Sequence, residues 1–225
     1  KAIHYLLSCN IGEILTIFAA TVLDFPQMPL LPVQLLWLNL VTDSLPALAL
    51  GVEPVEAGLM EEAPRDARES LFTRSFALRL AWQGALVGGL ALAAYLLGLR
   101  LLPGPFSPAR TANTMAFATL TLSQLFHAYD VRSQRRSLFQ IGLFRNRAMN
   151  KAFLTGLAMQ LAVLCLPPLQ LVFGTVPMTA GQWLWVLALA VTPVLACEGA
   201  KALGRARARK RTERPAKDKG PLTSV

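Results

Sequence analysis

The sequence contains few charged residues and few of the residues that build soft-metal sites. Charged residues occupy 16% of the 225 positions, whereas hydrophobic residues occupy 54%. This composition excludes an ordinary soluble domain, because the apolar residues also occur in runs long enough to cross a bilayer. There are two histidines and three cysteines with no CxxC motif, so we interpret the thiols as buried free cysteines. No secretory signal precedes the first apolar run, and the start at lysine instead of methionine suggests a fragment.

Long apolar segments predict an all-α fold, a polytopic membrane protein with a six-helix transmembrane bundle. We place the spans at about residues 2–22, 30–50, 75–99, 113–129, 152–173 and 182–203. Gly84, Gly88 and Gly89 give the third span a small-residue face suited to close helix packing. The pair Pro167 and Pro168 should distort or end the fifth span. Residues 1–204 form the predicted membrane domain, followed by a basic tail, residues 205–225, predicted to be disordered.

Basic residues are distributed unevenly between the predicted loops. Nearly all Lys and Arg lie in residues 51–74, 130–151 and 201–225, whereas the opposite loops hold only Arg100 and Arg110. The positive-inside rule therefore predicts an integral membrane protein with both ends cytoplasmic. The same distribution explains the net charge of +9 without a nucleic-acid partner, so the lipid bilayer is the expected partner. The tail reads as an anionic-lipid contact or a topology signal.

The second span carries polar residues at its centre. Asn39, Thr42 and Asp43 are spaced i, i+3 and i+4, which predicts one shared helix face. A carboxylate near the bilayer centre costs at least ~3 kcal/mol, so Asp43 is by default a functional residue. Pro46 should kink or open the helix one turn later, leaving carbonyl oxygens free. The alternative for Asp43 is a structural ion pair or a protonated carboxyl.

The first span offers a second polar pair that can face the first. Asn10 and Glu13 are spaced i and i+3, and the short connection makes the two spans an antiparallel hairpin. An interhelical hydrogen bond is the alternative use of Glu13. Oxygen ligands with two carboxylates favour a hard cation, Ca²⁺ first and Mn²⁺ on the same grounds. Copper and zinc prefer sulfur or imidazole, and Cys9 is predicted to point to a different face.

The later spans contain fewer candidates. Gln124, in the fourth span, has two interpretations of equal weight. It is either a cation ligand or a residue that joins helices by hydrogen bonds. His127, one turn on, is interpreted as a packed or interfacial histidine. Glu198 and Lys201 are spaced i and i+3, which indicates a structural ion pair.

Two stretches, YLLSCNIGEIL and PVQLLWLNLVTDSLPALALGVEP, resemble the fifth and sixth transmembrane helices of type-II P-type ATPases. The likeness is greatest to calcium pumps and their bacterial relatives, and the other four spans are similar in number and order to that family's last four helices. The resemblance implies that the ion ligands are Asn10, Glu13, Asn39, Thr42 and Asp43. It also implies a ligand from the eighth helix, where this chain has Gln124 instead of the family's Glu, which affects whether one or two ions bind.

The resemblance further implies what this chain does not contain. A P-type pump needs a phosphorylated Asp in a DKTGT motif, a nucleotide domain, an actuator domain and four earlier helices, and the sequence has no such motif. We therefore expect the C-terminal part of a bacterial plasma-membrane pump, which transports Ca²⁺ and uses ATP and Mg²⁺ only in its full-length form. This fragment alone is expected to be non-catalytic, with the missing N-terminal part as its partner. Two alternatives stay open: a sodium/potassium-type pump, and a secondary transporter with a midplane carboxylate site.

Overall fold

A computed structural model describes residues 1–54, 73–102, 104–133, 137–142 and 145–212. Within these ranges the chain forms α-helices and one π-helical turn, with no strand. The α-helices are α1 (Ala2–Val22), α2 (Pro32–Trp37), α3 (Ser44–Gly51), α4 (Arg74–Arg100), α5 (Pro108–Asp130), α6 (Leu138–Ile141), α7 (Arg147–Cys165), α8 (Pro167–Phe173) and α9 (Ala180–Thr212). The π-helical turn, Leu38–Thr42, separates α2 from α3. The all-α prediction is confirmed.

Five helical segments are long and apolar enough to cross a membrane by length and composition. They are α1, Pro32–Gly51, α4, α7 and the Ala180–Ala206 part of α9. The remaining predicted span lies within α5, whose 23 residues include several threonines and Gln124. Other helices bury most of the side chains of α5, so this helix can be more polar than a helix that faces lipid.

Helix α5 is the centre of the bundle. It packs against α4, α9, α7 and α1, and most of its side chains are buried. Its apolar residues Met115, Phe117 and Leu120 are fully buried and belong to the main hydrophobic core. The hydroxyl of Thr121 donates to the carbonyl oxygen of Phe117 at 2.9 Å. Such internal hydrogen bonds let polar side chains lie in an apolar bundle without a solvent partner.

Helices α1 and α4 approach each other through glycines. A Cβ atom added at Gly88 would lie 2.6 Å from the carbonyl oxygen of Gly12, and one at Gly12 would lie 3.2 Å from that of Gly84. Any larger residue at Gly88 would push the two helix backbones apart. The predicted packing face is therefore present at Gly84 and Gly88, whereas Gly89 faces open space.

Two other predictions concern helix ends. Helix α7 ends at Cys165 and α8 begins at Pro167, so the proline pair breaks the fifth span as expected. Helix α9 continues to Thr212, so the prediction of disorder is wrong for residues 205–212. Ala, Arg and Lys are good helix formers, and extending an existing helix requires no new nucleation. Residues 213–225 lie outside the described residues.

Candidate cation site

The second predicted span opens at the π-helical turn. The N–H of Asp43 donates to the carbonyl of Leu38, five residues earlier, at 2.9 Å. Pro46 follows in the first turn of α3 and has no N–H to give to the carbonyl of Thr42. The helix of the second span is therefore opened as predicted, but the opening begins before Pro46 and not at it. π-helical turns inside helices are frequent at functional sites.

Glu13 lies between two side-chain amides from different helices. The Asn39 amide nitrogen donates to Oε2 of Glu13 at 2.6 Å, and the Gln124 amide nitrogen donates to Oε1 at 3.0 Å. Glu13 is only 5% exposed and Gln124 is fully buried. The structure thus brings together α1, the π-helical turn and α5 at one carboxylate.

Asp43 is fully buried beside α1. The Tyr5 hydroxyl donates to Oδ1 of Asp43 at 3.1 Å, and the Cys9 thiol lies beside the same carboxyl. Oδ2 of Asp43 has no hydrogen-bond partner in the part of the chain that the structure describes. Asp43 therefore keeps one carboxyl oxygen available inside the bundle.

Tyr5 and Cys9 were missed as neighbours of the site. The prediction that Cys9 points to a different face is wrong, because Tyr5, Cys9 and Glu13 are spaced i, i+4 and i+8 and line one face of α1. That four-residue spacing is visible in the sequence.

Asn10 and Thr42 bond mainly to their own helices. The Asn10 amide donates to the carbonyl of Leu6, and the Thr42 hydroxyl donates to the carbonyl of Leu38, each at 2.9 Å. Thr42 is buried and Asn39 exposed, so Asn39, Thr42 and Asp43 do not share one buried face. The π-helical turn changes their angular relation, since its hydrogen bonds span five residues instead of four.

The later candidates lie toward the end of the bundle where the basic part of α9 begins. His127 is 1% exposed, and its Nε2 lies 3.1 Å from the hydroxyl of Ser8, so it is a packed histidine as predicted. The Lys201 ammonium lies 3.2 Å from Oε1 of Glu198, which confirms the predicted ion pair. The same ammonium lies 2.6 Å from Oδ1 of Asp130.

Comparison with known proteins gives relatives over most of the chain. A "Calcium-transporting ATPase 1" of Bacillus cereus is 41% identical over 210 residues, covering 88% of this chain and 23% of the relative. A "Calcium-transporting ATPase" of Bacillus subtilis is 39% identical over 88% of this chain and 22% of its own length. The human "Calcium-transporting ATPase type 2C member 1" is 33% identical over 91% of this chain and 22% of its own length. The chain thus spans less than a quarter of these relatives.

A protein-family comparison agrees with these relatives. The family described as "Cation transporting ATPase, C-terminus" matches residues 27–203. The match includes the π-helical turn and most of the helices that surround Glu13. The chain therefore belongs to the cation-transporting ATPases, of which it is a calcium-pump-like C-terminal membrane part.

Proposed function

We propose that this chain is the ion-binding membrane part of an ATP-driven pump that transports Ca²⁺. The proposed ligands are the six residues predicted from the sequence: Asn10, Glu13, Asn39, Thr42, Asp43 and Gln124. The observation that carries the proposal is that Glu13 and Asp43 are buried yet receive hydrogen bonds only from neutral groups of the described residues. Two buried carboxylates without a positive partner in the described part of the chain form a site that a cation would neutralise.

The oxygen atoms around these carboxylates support a hard cation. Oε1 of Gln124 and Oδ2 of Asp43 are buried without a hydrogen-bond partner among the described residues. The amides of Asn39 and Gln124 now donate to Glu13, and rotation about their last side-chain bonds would present oxygen to an ion instead. Calcium accepts six to eight such oxygens in flexible geometry, so the site can change from amide donors to amide acceptors when calcium binds.

The sulfur of Cys9 does not change this preference. Its thiol lies beside the Asp43 carboxyl, to which the Tyr5 hydroxyl donates a hydrogen bond. A soft metal would need further sulfur or imidazole ligands beside Cys9. Mn²⁺ is the alternative cargo, since it also accepts oxygen ligands.

The remainder of the pump is proposed from the relatives. They are more than four times as long as the matched part, and their printed names describe calcium-transporting ATPases. We infer that actuator, phosphorylation and nucleotide domains and four earlier helices precede this chain, and that ATP and Mg²⁺ act there. This chain would then be non-catalytic by itself. The Bacillus relatives support a bacterial plasma membrane, with both ends of the chain cytoplasmic by the positive-inside rule.

The substitution Asp43→Asn in the complete pump tests the proposal. It keeps the side-chain size and removes one charge from the site. Calcium-dependent phosphorylation from ATP should then be lost, because calcium affinity depends on anionic oxygens. Phosphorylation from inorganic phosphate, which needs the empty site, should persist and show that the protein is folded.

Asp24→Asn is the matched control, since Asp24 is exposed in the connection between α1 and α2. It should leave both phosphorylation reactions unchanged. Normal calcium dependence in Asp43→Asn would show that Asp43 is a structural carboxyl. Phosphorylation independent of any cation in the wild-type protein would contradict the pump proposal itself.

A further inference from the structure

A second polar cluster lies apart from Glu13, where α5 and α9 meet. It consists of His127 and Asp130 on α5 and Cys197 on α9, all buried. Ligand atoms from the three side chains lie within 4.8 Å of one another. The ligands of a tetrahedral zinc ion lie roughly 3.5 Å apart, so a small contraction would close this triangle on a metal.

The contacts of Ser8 favour one tautomer of His127. The Ser8 oxygen lies 2.8 Å from the carbonyl oxygen of Tyr5 and 3.1 Å from Nε2 of His127. Because a carbonyl oxygen cannot donate, both contacts are hydrogen bonds when Ser8 donates to Tyr5 and Nε2 of His127 donates to Ser8. A neutral imidazole protonated at Nε2 carries its lone pair on Nδ1. Metal-bound histidines are held in the same way, by a hydrogen bond from the other ring nitrogen.

That lone pair faces the cluster without a partner. Nδ1 of His127 is buried and has no hydrogen bond to the described residues. Oδ2 of Asp130 lies 4.0 Å away, outside hydrogen-bond distance. Two acceptors therefore face each other across a gap in which only a proton or a cation would be stabilised.

Neighbouring side chains contact the other two proposed ligands, Cys197 and Asp130. The Gln83 amide nitrogen lies 3.5 Å from Sγ of Cys197, where its N–H would stabilise a thiolate. Lys201 bonds to Oδ1 of Asp130 at 2.6 Å, which leaves Oδ2 for a metal. The positive charge of Lys201 is balanced by Glu198 at 3.2 Å. A thiolate, a carboxylate and a neutral imidazole then carry two negative charges, which match one divalent cation.

A cavity of about 490 Å³ adjoins two of the three residues, Asp130 and Cys197. Gln83 also lines it, together with the basic side chains of Arg79, Lys201 and Arg205. Water in this cavity would supply the fourth ligand of a tetrahedral ion.

We propose that His127, Asp130 and Cys197 form a binding site for a borderline divalent cation such as Zn²⁺, separate from the transport site. The ligand set of nitrogen, sulfur and oxygen suits zinc and disfavours calcium, which accepts oxygen alone. The thiol of Cys197 would release its proton when the metal binds. A bound ion would join α5 to α9.

Cobalt(II), a coloured substitute for zinc, tests this site in the intact protein that carries this chain, purified in detergent. Cys165 is exposed, so all measurements use Cys165→Ser as the background to remove adventitious binding. Titration with Co²⁺ should give a thiolate-to-metal absorption band that saturates at one ion per chain and is abolished by Zn²⁺ but not by Ca²⁺. Binding at this site does not require transport, so the result is independent of the pump proposal.

Three variants decide the assignment. Cys197→Ser should remove the thiolate band, whereas the buried Cys9→Ser control should retain it. His127→Gln should keep the band but weaken Co²⁺ binding by about tenfold or more. The proposal is overturned if the background protein shows no band, if Cys197→Ser keeps it, or if His127→Gln binds Co²⁺ as tightly as before. The last comparison remains decisive even if Cys197→Ser fails to fold.

Discussion

Carboxylates in two regions of this protein have different partners. Near the end of α5, Glu53 accepts a hydrogen bond from Nε of Arg132 at 3.0 Å, and Glu198 is paired with Lys201 at 3.2 Å. In the bundle, Glu13 accepts hydrogen bonds from the amides of Asn39 and Gln124, and Asp43 accepts one from the phenol of Tyr5. The first region uses cationic side chains and the second neutral donors.

This difference distinguishes carboxylates that stabilise the fold from carboxylates that can bind an ion. A carboxylate paired with Arg or Lys is already neutralised by the protein, so it gains little from a further cation at the same oxygen. A buried carboxylate with neutral donors remains uncompensated, and the protein is poised to take an ion or a proton there. Substitutions in the two regions should therefore affect different measurements.

The largest effect is expected at Arg132, whose side chain is fully buried against Glu53 and also donates to the carbonyl of Gly142 at 3.1 Å. Arg132→Ala should lower the free energy of unfolding by about 3–5 kcal/mol, because it leaves the Glu53 charge buried and unpaired. Unfolding of the purified protein in detergent would measure this loss. Arg145→Ala, at an exposed position, is the control and should change stability little. If Arg132→Ala and Arg145→Ala were equally stable, the buried pair of Arg132 and Glu53 would not stabilise the fold.

Glu13→Gln should lower calcium affinity without lowering stability, in contrast to Arg132→Ala. Removing a buried charge that has no cationic partner among the described residues should leave the ion-free protein as stable as before or more so. Calcium affinity should fall by more than about tenfold, because one of two anionic ligands is lost. Both quantities can be measured on one preparation, by unfolding without calcium and by calcium titration. A strong loss of stability with unchanged calcium affinity would show that Glu13 stabilises the fold and does not bind the ion.

A smaller effect is expected at Gln124, which contributes one neutral amide to Glu13. Gln124→Ala should weaken calcium binding less than Glu13→Gln does, by a factor of about ten or below, since a neutral hydrogen bond is worth about 1 kcal/mol. The concentration of calcium that half-activates phosphorylation measures this change. A loss as large as that of Glu13→Gln would make Gln124 an essential ligand instead of a helix contact.

The sequence predicted the all-α fold with long apolar helices. Apolar runs located the spans, and the proline pair at Pro167 located the break after α7. Hydropathy could not show that α5, with its threonines and Gln124, occupies the centre of the bundle, since that depends on which helices surround it. The contact between Glu13 and Gln124 joins residues 111 positions apart and depends on the same packing.

The details of the site were harder to predict for local reasons. The π-helical turn at Leu38–Thr42 has no residue of its own that marks it, and Pro46 pointed only to an opening nearby. Once the helix widens there, the expected common face of Asn39 and Asp43 is lost. On α1, regular helical spacing does hold, and it places Tyr5 and Cys9 beside Asp43.

Direct calcium binding to Asp43→Asn tests the central claim, that buried carboxylates with neutral donors form the ion site. Radioactive calcium retained by the complete protein at equilibrium should saturate in the wild type and in the exposed control Asp24→Asn. Asp43→Asn should show calcium affinity reduced by more than about tenfold while its unfolding transition is preserved. Wild-type affinity in Asp43→Asn would contradict the account and assign this carboxyl to the packing of α1 against α3.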